Sequence, residues 1–488
     1  METKLILKDP TLLRQLCHVG GHWVAADSEE TVAVANPATG VEVGRVPYFG
    51  ASETRRAIEA AEAALPHWRS LLAKERGRLL RAWFDLIIDN QEDLARILTA
   101  EQGKPYLEAL SEVVSGAQFI EWFAEEARRA YGETIPTPAH DRRIAVIKQP
   151  VGVCAAITPW NFPNTIITRK AGAALAAGCT MVVRPATETP FSALALSELA
   201  ARAGIPAGVL NVVTGHPQDM GRELTTNPVV RKLSFTGSTA VGKMLMEQSA
   251  STIKKLALEL GGNAPFIVFG DADIEAAVEG ALASKFRNSG QACVGANRFY
   301  VHDSIYEQFA AELVKRVEQL HVGDGADPAV TMGPLINAQA VEKVESHVAD
   351  AVAKGARVLT GGKRHDRGGA FFEPTVIADV TRDALVSCDE TFGPLAPLFR
   401  FTDERELIDA ANATEFGLAA YLYSRDIGRI WRVAEALETG MVGINVGLMA
   451  NESVPFGGIK ESGVGREGSH YGLEDYLEVK YLCMGGIQ

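Results

Sequence analysis

The sequence predicts an α/β protein built from two α/β domains, because short apolar runs alternate with amphipathic helical stretches. Five apolar runs of β type begin near Val151, Thr180, Val209, Arg231 and Lys254, and helical segments separate most of them. Near-continuous apolar strands alternating with helices indicate a parallel sheet covered on both faces. In such a sheet a nucleotide ligand binds at the carboxyl ends of the strands. The length of 488 residues also favours more than one domain.

The elements before and after this series follow from the same periodicities. Residues 52–130 carry apolar side chains at i, i+3 and i+4 spacing, which predicts helices. Residues 142–147 form an apolar run after two prolines, which predicts a strand, and residues 476–482 alternate and could pair with it. After Gly261 a second strand–helix series begins, with helices predicted at 273–287, 304–320, 338–354, 404–412 and 426–438.

These patterns predict the domain boundaries. Residues 1–130 and 150–258 are expected to form one domain around the nucleotide-binding sheet, and residues 259–470 a second α/β domain, whose C-terminal part could instead belong to the first. Residues 131–149 and 471–488 are expected to be oligomerisation strands, since strand edges outside both domains usually find a partner.

Composition excludes several classes of function. The chain has 48 Lys and Arg against 61 Asp and Glu, a formal net charge of −13, and no basic block to neutralise a nucleic acid. The apolar stretch 171–183 is too short to span a bilayer, and no signal peptide is recognisable. The six cysteines are scattered without a CxxC pair, so neither a metal site nor a disulfide scaffold is expected, and a cytoplasmic location fits best.

Four short segments contain the candidate catalytic and ligand-binding residues. They are Thr158–Pro163 (TPWNFP), Phe235–Gly242 (FTGSTAVG), Leu258–Asn263 (LELGGN) and Gly290–Cys293 (GQAC). Each has an ordinary structural explanation when taken singly: a buried cysteine, a turn glutamate, a helix start and a capping asparagine. No GxGxxG fingerprint accompanies them.

In combination, the four sequences resemble the NAD(P)-dependent aldehyde dehydrogenase superfamily. Cys293 follows Glu259 by thirty-four residues, and Glu390–Pro394 (ETFGP) and Pro455–Gly458 (PFGG) complete the resemblance over essentially the whole chain. Residues 233–237, 280–288 and 463–471 are most similar to succinate-semialdehyde dehydrogenases. The resemblance implies a Rossmann-like cofactor domain, an α/β catalytic domain and a small β element that builds homodimers or homotetramers.

The resemblance also implies a mechanism. Cys293 would add to an aldehyde and give a thiohemiacetal, whose collapse releases hydride to a nicotinamide. The side-chain amide of Asn161 and the backbone N–H of Cys293 would stabilise the alkoxide. Glu259 would activate the water that hydrolyses the resulting thioester. No metal ion is expected to take part.

Further positions are implied as cofactor contacts. Gly237 and Ser238 would let a pyrophosphate approach the N-terminus of the following helix. The other implied contacts are Trp160, Glu390 and Phe392.

Two departures from the family pattern concern the choice between NAD and NADP. Arg184 stands where the family usually has Lys, and Thr187 stands where relatives restricted to NAD usually have Glu. A carboxylate there would repel a 2′-phosphate, whereas Thr can donate to one and Arg can pair with it. We therefore expect NADP to be accepted, with NAD as an alternative.

Two arginines indicate the substrate. Arg169 and Arg287 match the residues that bind the terminal carboxylate in succinate-semialdehyde dehydrogenases, so we expect a small anionic aldehyde. Ala450 stands where those enzymes usually have a third ligand, a Ser. Glutarate semialdehyde, 2-oxoglutarate semialdehyde and a sulfonated aldehyde therefore remain alternatives to succinate semialdehyde.

Two other classes of protein remain alternatives. The first is a CoA-acylating dehydrogenase, which does not need the base, so the presence of Glu259 disfavours it. The second is a non-catalytic structural relative, which the intact set of Cys293, Asn161 and Glu259 disfavours. Gly295 occupies the position at which some relatives carry a second cysteine, so no local disulfide switch is expected.

Overall fold

A computed structural model describes residues 5–487. Its strands are β1 (Cys17–Val19), β2 (His22–Val24), β3 (Thr31–Ala35), β4 (Glu42–Pro47), β5 (Glu133–Ile135), β6 (Arg142–Pro150), β7 (Val153–Ile157), β8 (Thr180–Arg184), β9 (Leu210–Val212), β10 (Val230–Thr236), β11 (Lys255–Glu259), β12 (Ala264–Val268), β13 (Ala296–His302), β14 (Arg357–Thr360), β15 (Thr375–Ala378), β16 (Leu395–Phe401), β17 (Ala419–Tyr423), β18 (Met441–Ile444), β19 (Gly463–Val464) and β20 (Leu477–Gly485).

The α-helices are α1 (Ala51–Ser70), α2 (Ala73–Asp89), α3 (Gln91–Gln102), α4 (Tyr106–Glu126), α5 (Thr165–Ala177), α6 (Pro190–Arg202), α7 (Pro217–Thr226), α8 (Thr239–Ser249), α9 (Ile274–Lys285), α10 (Tyr306–Val317), α11 (Ala338–Ala353), α12 (Leu385–Cys388), α13 (Glu404–Asn412), α14 (Ile427–Ala436) and α15 (Ser469–Glu474). The helices predicted after residue 261 differ from α9, α10, α11, α13 and α14 by three residues at most at either end. None of the helices within residues 5–487 is long and apolar enough to cross a membrane.

The first sheet has the strand order β19-β11-β10-β7-β8-β9-β1-β2. Its five central strands are parallel, while β19 and the β1–β2 pair add antiparallel edges. Every residue of β7 is buried because helices cover both faces, which leaves two apolar cores. The parallel, helix-covered sheet that the apolar runs predict is therefore confirmed.

The second sheet has the order β14-β15-β16-β13-β12-β17-β18 and is parallel except for β14. It also has an apolar core on each face. The α/β fold class predicted for this half of the chain is thus confirmed as well.

A third, antiparallel sheet has the order β20-β6-β5. Its register runs from Leu477 opposite Pro150 to Gly485 opposite Arg142, so the C-terminal strand pairs with the strand predicted near residue 142. Just before β20 the chain contributes β19 to the first sheet, where Gly463 lies opposite Glu259.

Strand register determines where the site forms. Ile157 at the end of β7 lies beside Phe235 of β10, and Thr236 at the end of β10 lies beside Glu259 of β11. The segments that follow β7 and β10, and Glu259 itself, therefore emerge at one edge of the first sheet.

Candidate active site

Asn161 connects the end of the first sheet to the segment that carries Cys293. Its side chain is 3% exposed, and its Nδ2 atom donates to the backbone carbonyl of Gln291 over 3.2 Å. Its Oδ1 atom is buried and has no hydrogen-bond partner in residues 5–487. Because an amide carries two N–H groups, one donor of Nδ2 is left for a ligand.

Cys293 is half-buried between two carboxylates and an arginine. Burial, followed by the charges of Glu390 and Glu259, raises the pKa of its thiol to about 12, while the charge of Arg169 opposes this rise. Since only the thiolate is a strong nucleophile, Cys293 would need a nearby proton acceptor to act as one.

Glu259 is a buried carboxyl group at the end of β11, with 3% of its surface exposed. Neither of its oxygens has a hydrogen-bond partner among the described residues. A Cβ atom on Gly457 would lie 3.0 Å from Oε1, so glycine at this positive-φ position keeps the carboxyl uncrowded. Burial, and next the charge of Glu467, raise the pKa of Glu259 well above its usual range. Such a carboxyl binds a proton more tightly than an exposed glutamate does, which makes its carboxylate a stronger base.

Two charged residues that the motifs did not indicate complete this region. Glu467 accepts from Lys170 Nζ over 2.5 Å and from an Nη atom of Arg169 over 3.4 Å, and Lys170 also donates to Ser234 Oγ over 2.9 Å. Despite burial, these two cations hold the pKa of Glu467 below its usual range. The sequence feature that could have revealed this cluster is the pair of adjacent cations, Arg169 and Lys170, inside the otherwise apolar helix α5.

The two predicted substrate-binding arginines have different surroundings. The Arg169 guanidinium lies between the rings of Phe119 and Phe456, at 4.7 and 4.3 Å from their centroids, and its buried Nε has no partner within residues 5–487. Arg287 lies 5.1 Å from the ring centroid of Phe162, the residue after Asn161. Arg287 thus lies beside the segment that contains Asn161. Arg169 lies beside Phe456, the residue before the glycine that faces Glu259. Ala450 is exposed.

The predicted nicotinamide contacts come together from distant parts of the chain. Trp160 and Phe392 make an edge-to-face contact with ring centroids 5.5 Å apart. Glu390 accepts from the backbone N–H of Gly262 over 3.1 Å, and burial raises its pKa to about 7.

The Gly237–Ser238 turn starts helix α8. Ser238 Oγ accepts from the backbone N–H of Val241 over 3.4 Å, and the Gly237 N–H donates to the Glu259 carbonyl over 3.0 Å. A Cβ atom on Gly237 would lie 2.4 Å from the Phe235 ring, so a larger residue would force that ring to move. The free N–H groups of such a helix start attract anions.

At the end of β8, Arg184 donates to Thr187 Oγ1 over 3.2 Å. Its Nε is buried without a partner in the described part of the chain, and burial lowers the pKa of the guanidinium. Both predicted NADP-selecting residues therefore share one local site.

Candidate metal ligands and disulfides were sought among residues 5–487. No group of three or more His, Cys, Asp or Glu side chains there is placed to bind a metal ion, and all six cysteines are free.

Comparisons with known proteins agree with these observations. Residues 23–482 match the model of the aldehyde dehydrogenase family. A glutarate-semialdehyde dehydrogenase of Pseudomonas aeruginosa is 64% identical over 99% of this chain and 100% of its own length. The NADP(+) succinate-semialdehyde dehydrogenase GabD of Escherichia coli is 64% identical over 98% of this chain and 99% of its own. The crystal structure of succinate-semialdehyde dehydrogenase from Burkholderia pseudomallei has a TM-score of 0.98 at 64% identity, covering 98% of this chain and 99% of that one.

The charges around Cys293 predict opposite effects of two substitutions on its reactivity. Glu390→Gln removes a charge that raises the pKa of the thiol, so the thiolate fraction increases. Arg169→Met removes a charge that lowers this pKa, so the thiolate fraction decreases. At about pH 9, iodoacetamide should alkylate Cys293 about 2- to 10-fold faster in the first variant and slower by a similar factor in the second.

Peptide mass spectrometry measures the alkylation, with the exposed Cys483 as internal control. A change of the Cys293 rate in the same direction in both variants would contradict the proposed charge environment.

Proposed function

Because this chain belongs to the aldehyde dehydrogenase family, we propose that it oxidises an aldehyde with a terminal carboxylate to the corresponding diacid, with NADP⁺ or NAD⁺ as hydride acceptor. One observation carries the substrate class: Arg169 and Arg287 lie beside the segments of Glu259 and Asn161, with the Arg169 Nε atom buried and unbonded within residues 5–487. Guanidinium groups are the preferred partners of carboxylates in partly buried sites.

In the first step Cys293 Sγ attacks the aldehyde carbon, and a thiohemiacetal forms. The thiol proton has to leave, since burial raises the pKa of Cys293. The unbonded carboxyl group of Glu259 is the candidate acceptor, either directly or through water. Its raised pKa suits it to take up and release this proton.

The negative charge that develops on the substrate oxygen requires donors. The free N–H of Asn161 Nδ2 and the backbone N–H of Cys293 are the proposed pair. Removal of one such donor typically costs about 3–4 kcal/mol of transition-state stabilisation. The hydrogen bond from Asn161 to the Gln291 carbonyl fixes the amide two residues from the nucleophile.

Glu259 is also the proposed base for hydrolysis of the thioester. Its burial keeps competing solvent away, and the neighbouring Glu467 raises its proton affinity. Since a thiol acceptor such as CoA would not need this base, hydrolysis to the free acid is the favoured outcome.

The residues present fit a dinucleotide cofactor. The N-terminus of α8, the aromatic pair Trp160 and Phe392, and the carboxyl group of Glu390 would hold its pyrophosphate and nicotinamide ends. When bound, the nicotinamide accepts the hydride that leaves the substrate carbon. The unbonded Arg184 Nε and the adjacent Thr187 hydroxyl suit the 2′-phosphate of NADP.

Succinate semialdehyde and glutarate semialdehyde are the two favoured substrates. Succinate semialdehyde is supported by the two arginines and by the name of the Escherichia coli relative. Glutarate semialdehyde is favoured by the name of the equally identical Pseudomonas relative and by Ala450, which offers no hydroxyl to a shorter substrate.

The third sheet supports an assembly of this chain with itself. Along β20, Val479 and Tyr481 are 68% and 59% exposed, and every residue after Leu477 is exposed. A homodimer or homotetramer in which this sheet is buried accounts for these apolar side chains.

The arginine assignment predicts a selective effect of Arg287→Leu. The kcat/KM for succinate and glutarate semialdehydes should fall about 10- to 100-fold, because a charged hydrogen-bonded pair contributes about 1.5–3 kcal/mol. The kcat/KM for butanal, which lacks the carboxylate, should change less than about threefold. Steady-state kinetics over the substrate panel measures both.

Arg405→Leu is the matched control, since Arg405 is exposed on α13. Wild-type kcat/KM values as high for alkanals as for the semialdehydes would refute the proposed substrate class.

The cofactor assignment predicts that Thr187→Glu discriminates against NADP⁺. A carboxylate beside Arg184 should lower kcat/KM for NADP⁺ about 10- to 100-fold, by repelling the 2′-phosphate and by pairing with the arginine. The value for NAD⁺ should change much less. Thr187→Val is the control for loss of the hydroxyl alone. A wild-type turnover with NADP⁺ below about 1% of that with NAD⁺ would refute the proposal that NADP⁺ is accepted.

A further inference from the structure

Helix α4 reaches both segments that carry the reacting groups. Its residues Glu108 and Glu112 are four apart, so their side chains lie on one face, one turn from each other. Glu112 contacts the segment of Asn161, and Glu108 contacts the segment that leads to Cys293.

Glu112 and Lys104 form a buried ion pair, with 6% and 1% of their surfaces exposed. Lys104 Nζ lies 2.5 Å from Glu112 Oε2 and donates to the Asn161 carbonyl over 2.8 Å. The other Glu112 oxygen accepts from the backbone N–H groups of Asn164 over 2.9 Å and Thr165 over 3.3 Å. The ion pair thus holds both ends of the short segment 161–165.

Asn288 makes the equivalent connection on the other side. Its backbone N–H donates to Glu108 over 2.8 Å. Its side-chain Nδ2 bridges two carbonyls, that of Asn161 over 2.9 Å and that of Gln291 over 3.1 Å. Asn288 has a φ of 51°, a left-handed conformation that Asn tolerates better than most residues.

The Asn161 carbonyl therefore accepts two hydrogen bonds, one from Lys104 and one from Asn288. A carbonyl has two lone pairs, so its hydrogen-bonding capacity is filled. No freedom remains for the Asn161 backbone to move relative to Gln291 without breaking a buried bond.

We infer that Lys104, Glu112 and Asn288 are positioning residues, which together hold the Asn161 amide at a fixed distance from Cys293. Their contacts determine where the proposed oxyanion donor lies before substrate binds. This inference rests on the proposed function, in which Asn161 stabilises the developing alkoxide. None of the three is among the proposed substrate or cofactor contacts.

The test is a double-mutant cycle with Asn161. Lys104→Met combined with Glu112→Gln removes the ion pair without leaving a buried unpaired charge. The single-turnover rate constant of hydride transfer, per titrated Cys293 thiol, should fall about 10- to 100-fold, while the KM for cofactor changes less than about threefold. In an Asn161→Ala background the same pair of substitutions should lower the rate constant less than about threefold, because the group they position is gone.

Glu125→Gln is the matched control, a carboxylate on the exposed face of the same helix. An equal loss in both backgrounds would mean that the ion pair is merely structural, and an unchanged rate constant in the wild-type background would also overturn the inference. If the double variant does not fold, Asn288→Gly replaces it in the double-mutant cycle with Asn161→Ala, because glycine keeps the positive φ of this position. The same two outcomes then support or overturn the inference. A wild-type protein without dehydrogenase activity would instead refute the proposed function.

Discussion

The buried carboxyl group of Glu259 is the constraint on which the rest of the site depends. A carboxyl removed from water without a hydrogen-bond partner is unfavourable, and it normally neutralises itself by taking up a proton. The fold nevertheless keeps it there, because parallel pairing with β10 and antiparallel pairing with β19 fix the end of β11. Glycine at position 457 keeps side-chain atoms away from its oxygens.

The surrounding charges divide into two groups with distinct roles. Lys170 and Arg169 pair with Glu467 rather than with Glu259, so one carboxylate compensates part of the positive charge of α5. Burial and the charge of Glu467 raise the pKa of Glu259, and the charges of Glu390 and Glu259 add to the effect of burial in disfavouring the thiolate of Cys293. The surroundings of Cys293, Glu259 and Glu390 thus disfavour the charged form of each group.

Much of this arrangement could be predicted from sequence. The apolar runs at 151, 180, 209, 231 and 254 predict parallel strands, and the motifs after them predict Asn161, Gly237 and Glu259 at one sheet edge. Lys170 and Glu467 could not be found in this way, since they are 297 residues apart and only the fold joins them. Lys104 and Glu112 form a local pair, but their contact with the Asn161 segment again depends on packing. The short strands β1–β4 carry too few residues for a clear alternation.

The most direct measurement is a rapid-mixing experiment on Glu259→Gln with cofactor and succinate semialdehyde. Because Glu259 is the proposed acceptor of the Cys293 proton as well as the hydrolytic base, reduced cofactor should form more slowly than in the wild type, reach about one equivalent per active site and then stop. Mass spectrometry should find the acyl group on Cys293. Steady turnover at the wild-type rate would contradict the account, as would an acyl group on any other residue.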